Sequence, residues 1–105
     1  MTLSFEYDEA AIEKRLPEDI RNYLNHFESP SFDSVAFDKL PFLDFIVWDD
    51  NMEMQGIKAA RSREDAWVSV AFNFFEVWRV VEYTSATPKE KRMARKLDRE
   101  RGNIT

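Results

Sequence analysis

The sequence predicts an all-α protein: a small bundle of four to five helices around one central hydrophobic helix at about 62–83, with a basic helix at the C-terminus. Three observations carry that expectation. Only two Gly and four Pro occur in 105 residues, few for the turns of a barrel or sandwich. Residues 66–83, AWVSVAFNFFEVWRVVEY, are apolar at thirteen of eighteen positions. Around that run, Asp65, Ser69, Asn73, Glu76 and Arg79 recur at spacings of four, four, three and three. At about 100° per residue they form one polar stripe roughly 120° wide, and a helix with so little polar surface is a buried one.

The elements follow in chain order. Leu3, Phe5 and Tyr7 alternate with polar residues and read as an extended arm that tucks into a groove. Asp8 can cap a short helix at 9–15, ended by Pro17, which drives Leu16 out of helical geometry. Pro17 also suits a first helical position, followed by Glu18 and Asp19 at the positive end of the dipole. Ile20, Tyr23, Leu24 and Phe27 then mark one face of a helix over 17–27. ESPSFDS at 28–34 is loop by composition, and Ser34 can cap a turn holding Val35 and Phe37.

A helix over 41–55 is expected next, opened by Pro41 and stopped by Gly56. The run FLDFIVW at 42–48 is also a respectable buried strand; length and the scarcity of Gly favour helix. Ser62 and Asp65 match a capping box ahead of the long apolar run. Thr87, Pro88 and Glu90 repeat that grammar before a last helix at 88–101, stopped by Gly102.

Charge divides the chain in two. Residues 1–87 hold 8 Lys+Arg against 17 Asp+Glu, whereas residues 88–105 hold 7 against 3. The expected organisation is an acidic helical domain, 1–87, carrying a basic helix or tail, 88–105. An acidic body repels nucleic acid over most of its surface. With no Cys in the chain, disulfides, thiolate metal sites and cysteine nucleophiles are excluded, and a reducing, cytoplasmic setting is expected. The N-terminus shows no basic leader before an apolar core. Asn73, Glu76, Arg79 and Glu82 within 66–83 argue against a membrane span.

Candidate chemistry is sparse. His26 is the only histidine, and an acid–base or triad site would have to be built on it; a helix-terminal role against the carbonyl dipole suits it better. Asp44, Asp49, Asp50 and Glu53 could hold a magnesium ion, but their spacing matches no ligand set, and a solvated acidic face is the stronger reading. No catalytic, cofactor or metal residue is assigned, and no enzymatic activity is expected.

Aromatic and acidic residues interleave over 32–53, as they do where aromatic anchors sit inside a charged rim. A small chain also has little with which to cover the apolar run. The expected function is therefore a non-enzymatic interaction factor of the assembly-chaperone, adaptor or inhibitor type. It would bind a protein partner or copies of itself through surplus apolar surface, oriented by acidic body and basic tail. The expected contact residues are Phe37, Phe42, Phe45, Trp48, Asp49, Asp50, Glu53, Trp67, Phe74 and Trp78. In the tail, Lys91, Arg92, Arg95, Lys96 and Arg99 would meet an acidic face. Two alternatives stand beside this: an acidic nucleic-acid mimic occupying a basic cleft, and nucleic-acid binding through the basic helix, which is disfavoured because Glu90, Asp98 and Glu100 interrupt it and no aromatic residue stacks there. Viral accessory proteins share this small, acidic, aromatic-rich composition, an analogy of composition only.

Overall fold

A three-stranded antiparallel sheet, and no central helix, organises the chain. The structure, a computed structural model, describes residues 16–73 and 76–101. The arm at 2–7, the helix expected at 9–15, Phe74 and the stop at Gly102 lie outside them. The described elements are α1 (Glu18–Phe27), α2 (Ser34–Asp38), β1 (Leu43–Asp49), β2 (Met54–Ala60), α3 (Arg63–Asn73), β3 (Val77–Glu82), a 3-10 turn (Tyr83–Ser85) and α4 (Pro88–Arg101). The sheet order is β2-β1-β3, with β1 antiparallel to both neighbours. Helices α1 and α3 share one side of the sheet and α4 takes the other. The chain is thus mixed α and β, and the all-α bundle is overturned at two places.

The first is 41–55, where the expected helix is strand β1, a turn, and the start of β2. Phe45 and Val47 pack towards α1 and α3, while Ile46 and Trp48 pack towards α4. A strand covered on both faces needs apolar residues on both, so the alternation that would identify it disappears. What remains is the β-branched and aromatic content of FIVW, the weaker of the two signals.

The second is 62–83, which is two elements in place of one. Helix α3 runs to Asn73 and the chain re-enters the sheet at Val77. The polar residues at 65 and 69 follow a helical period because they belong to a helix; Glu76 and Arg79 fall into step with them by coincidence, one in the connection and one on a strand. The run is greasy throughout because both elements are largely covered. Val70 on α3 is fully buried, and Trp67 and Val80 nearly so.

Other elements agree with local sequence chemistry. Ser62 Oγ accepts the Asp65 backbone N–H at 3.0 Å, which opens α3. Helix α4 starts in a reciprocal capping box: Thr87 Oγ1 accepts the Glu90 N–H at 3.2 Å, and Glu90 Oε1 accepts the Thr87 N–H at 3.0 Å. Pro88 is its first residue.

Two bulges bend the sheet. Val47 pairs with Gly56 and Trp48 with Met54, leaving Gln55 as the extra residue. Gly56 has φ of 136°, a conformation open to glycine and costly for a residue with a Cβ. Gly56 is therefore a bulge glycine inside β2 rather than a helix stop. On the other side Trp48 pairs with Arg79 and Asp49 with Val77, and the extra residue Trp78 is 45% exposed.

The Glu90 carboxylate that closes the capping box also receives Arg79 Nη1 at 2.8 Å. The Arg79 guanidinium lies 4.5 Å from the Trp48 ring centroid. Glu90 is thereby held below the usual carboxylate range, first by the Thr87 N–H and then by Arg79. Together with the fully buried Ala94 and the half-buried Leu97, this latch seats α4 on the sheet.

Candidate interaction surface

One corner of the molecule gathers aromatic rings outside the two cores. Helix α1 ends at Phe27, where the Glu28 N–H turns back to the Leu24 carbonyl at 3.2 Å. A tight loop follows, in which Ser29 Oγ accepts the Ser31 N–H and the Ser29 carbonyl accepts the Phe32 N–H. Asp33 then caps α2, its Oδ1 accepting the Ala36 N–H at 3.0 Å. These bonds fold the chain so that Phe27, Phe32 and Phe37 meet. Their ring centroids are 4.3 Å apart for Phe27–Phe32, 5.4 Å for Phe27–Phe37 and 5.5 Å for Phe32–Phe37. Tyr23 adds to Phe27 and the His26 ring meets the edge of Phe32.

Sheet register brings in the remaining members. Leu43 pairs with Ala60, so one step further out Phe42 comes opposite Arg61. The Arg61 guanidinium carbon lies 4.3 Å from the Phe42 centroid and 5.4 Å from that of Phe37. Among the described residues, Arg61 Nε is buried without a hydrogen-bond partner. Phe42 is 61% exposed and Phe27 41%. Leu40 and Leu43 beside them are exposed as well, and the carboxylates of Asp38 and Asp44 border the corner in sequence and face solvent. Behind it, burial pushes the Tyr23 phenol above its ordinary value, and the carboxylates of Asp65 and Glu64 add to that push.

The residues named from sequence are scattered over this architecture. Phe37 and Phe42 belong to the corner. Phe45, Trp48 and Trp67 are core residues, between 3% and 7% exposed. Asp49 is 8% exposed and organises the β1–β2 turn: Oδ1 accepts the N–H groups of Asn51 and Glu53 at 2.9 and 3.0 Å, and Oδ2 accepts Gln55 Nε2 at 2.6 Å. That turn passes through Met52 at φ of 63° and leaves Asp50 and Glu53 exposed. Asp44, at the other end of β1, is separate from them, and no group of three or more His, Asp or Glu among the described residues could hold a metal ion. Trp78 lies on the β3 bulge, away from the corner's rings, and Phe74 is outside the described residues. His26 sits in the last turn of α1.

In α4, Arg92, Arg95, Lys96 and Arg99 are exposed, as is Lys89, while Lys91 is half-buried with its ammonium 5.7 Å from the Tyr83 ring centroid. Among the described residues no helix is long and apolar enough to cross a membrane.

Sequence reasoning passed over Phe27 and Arg61 as contact residues, and placed Phe32 in the interleaved stretch without naming it among the contacts. One signal for the rings was present: Phe recurs at 27, 32, 37 and 42, every fifth residue. Arg61 had none, since only strand register places it between Phe37 and Phe42. Comparison with protein-family models, curated proteins and solved structures finds no match for this chain.

Proposed function

We propose that this chain is a non-enzymatic interaction protein whose contact surface is the corner built from Phe27, Phe37 and Phe42 around Arg61. The observation that supports the reading is the exposure of Phe42 and Phe27 within a ring cluster that contributes to neither core. Contact surfaces draw their affinity from aromatic and Arg anchors that become dry on binding. Here the anchors are already ordered against one another, which lowers the entropy cost of docking. The reading no longer rests on the long apolar run, whose described residues are mostly covered by the chain itself.

A second copy of the chain is the first occupant to test. The corner carries aromatic rings, a cation and bordering carboxylates together, so two copies related by a two-fold axis could pair ring with ring and Arg61 with Asp38 or Asp44. Light scattering of the purified protein from about 5 to 500 µM reads this directly. Concentration-dependent dimer that disappears in Phe42→Ser and Arg61→Ala variants supports it. If the wild-type protein stays monomeric, and the same variants capture the same proteins as wild type from extracts of the source cell, the corner is not a contact surface.

A further inference from the structure

The outward face of α4 carries a run of exposed cations, none of them part of the aromatic corner. Helix α4 faces the sheet through Ala94 and Leu97, with Glu90 turned to Arg79. At about 100° per residue, the opposite side carries Lys89, Arg92, Arg95, Lys96 and Arg99, all exposed. They span ten residue steps, about 15 Å of helix at 1.5 Å per residue. The ion pairs among the described residues join Arg63 to Asp19 and Glu64, and Arg79 to Glu90; none uses these five cations. Of the carboxylates on α4, Glu90 is engaged by Arg79, Asp98 is half-buried, and Glu100 alone is exposed beside the stripe.

We infer that this stripe binds the phosphate backbone of nucleic acid without reading its sequence. Charge density decides between the anionic surfaces it could meet. Each strand of a duplex offers one phosphate per about 3.4 Å of axis, or roughly four along 15 Å, a match for five cations in that length. Of the chain's own exposed carboxylates, two are already engaged: Asp19 by Arg63 and Asp33 by the α2 cap. Three of the five cations are Arg, whose planar fork suits phosphate oxygens. No aromatic residue lies on the outer face, so base stacking has no platform and contact stays with the backbone. Helix α1, with Glu18 and Asp19, lies a sheet and a helix layer away, about 20 Å at the usual 10 Å layer spacing, beyond the Debye length of about 8 Å at physiological salt. The carboxylates of the sheet layer, such as Glu53 and Glu82, are nearer and set the repulsion that binding has to exceed. The latch and the buried Ala94 hold the stripe on a rigid base, so little ordering entropy opposes binding.

The test is fluorescence anisotropy of the full chain with a labelled 24-base-pair duplex, in two unrelated sequences, at salt from 50 to 200 mM. With about four phosphates neutralised, log K falls with log salt at a slope near −3.6, a loss of about 150-fold across that range. Both duplexes should bind alike. The triple variant Arg92→Gln, Lys96→Gln, Arg99→Gln keeps good helix formers on an exposed face; with its circular dichroism unchanged, it should lose at least tenfold in affinity at 50 mM salt and most of the slope. No anisotropy change up to 50 µM protein at 50 mM salt overturns the inference, as does full binding by the triple variant. Competition by poly-glutamate as effective as by unlabelled duplex overturns it too, and assigns the stripe to an acidic protein.

Discussion

The two sides of the sheet are held by different physics. On the α1/α3 side, Leu16, Ile20, Ala66, Trp67 and Val70 meet Phe45, Val47, Ala60 and Val80, and large apolar side chains do the work by removing area from water. On the α4 side the helix offers Ala94 and the half-buried Leu97, beneath a face of charge. A small residue lets the helix approach closely, and polar contacts supply what area does not: the Thr87–Glu90 box, the Arg79–Glu90 pair and the Arg79 cation over Trp48. One strand, β1, serves both sides by presenting alternate residues to each. A helix can therefore be well seated while looking poorly anchored in sequence, when its contacts are close and its polar ends are tied.

The contrast can be broken first by volume. Trp67→Ala empties a core site and should cost about 3–5 kcal/mol. Ala94→Leu adds volume where α4 meets the sheet without clearance and should cost about 1–3 kcal/mol. Urea unfolding followed by fluorescence measures both. If Ala94→Leu is silent, α4 is not closely packed and the comparison fails.

A smaller effect tests the polar half. Thr87→Ala removes the hydroxyl that accepts the Glu90 N–H and should lower stability by about 1 kcal/mol. The same urea titration reads it, and the loss should appear without a change in m-value, since no core surface is exposed.

The smallest effect is a matter of pH. Glu90 has a folded-state pKa below its ordinary value, so its carboxylate stabilises the fold above the unfolded value and that contribution fades as pH falls through the lowered one. The urea midpoint of wild type should exceed that of Glu90→Gln at pH 7, and the gap should narrow on acidification to about pH 3. Asp19 is lowered by Arg63 and titrates in the same window, but it is present in both proteins and cancels from the comparison. A gap that is constant with pH would mean that Glu90 does not tie α4 to the sheet through its charge.

Part of this architecture was legible before any coordinates. Pro17 with Glu18 and Asp19, the one-sided Ile20/Tyr23/Leu24/Phe27 face, and the Thr87–Pro88–Glu90 start all act within a few residues of themselves; α4 starts at Pro88 as those signals put it, and α1 starts one residue later than expected, with Pro17 as its N-cap and Glu18 first. The same holds for Ser62 and Asp65 at the start of α3. Of the contact surface, Phe37 and Phe42 were recognisable as aromatic residues among acids. Phe45, Trp48 and Trp67 looked the same in sequence and are core, because exposure depends on which neighbours cover a ring and not on the ring.

What the sequence by itself determined about this protein is thus its local chemistry: where helices begin, where proline and acid fit a dipole, which segments are greasy and which end is basic. Tertiary structure alone decided that FIVW is a strand with two dry faces, that the long apolar run breaks after Asn73 and resumes as β3, and that Arg61 reaches Phe42 across the register. The reason is that caps and dipoles act between neighbours along the chain, whereas a strand's hydrogen bonds and the cover on its faces come from residues far away in sequence, and a run apolar at every position carries no period with which to announce them.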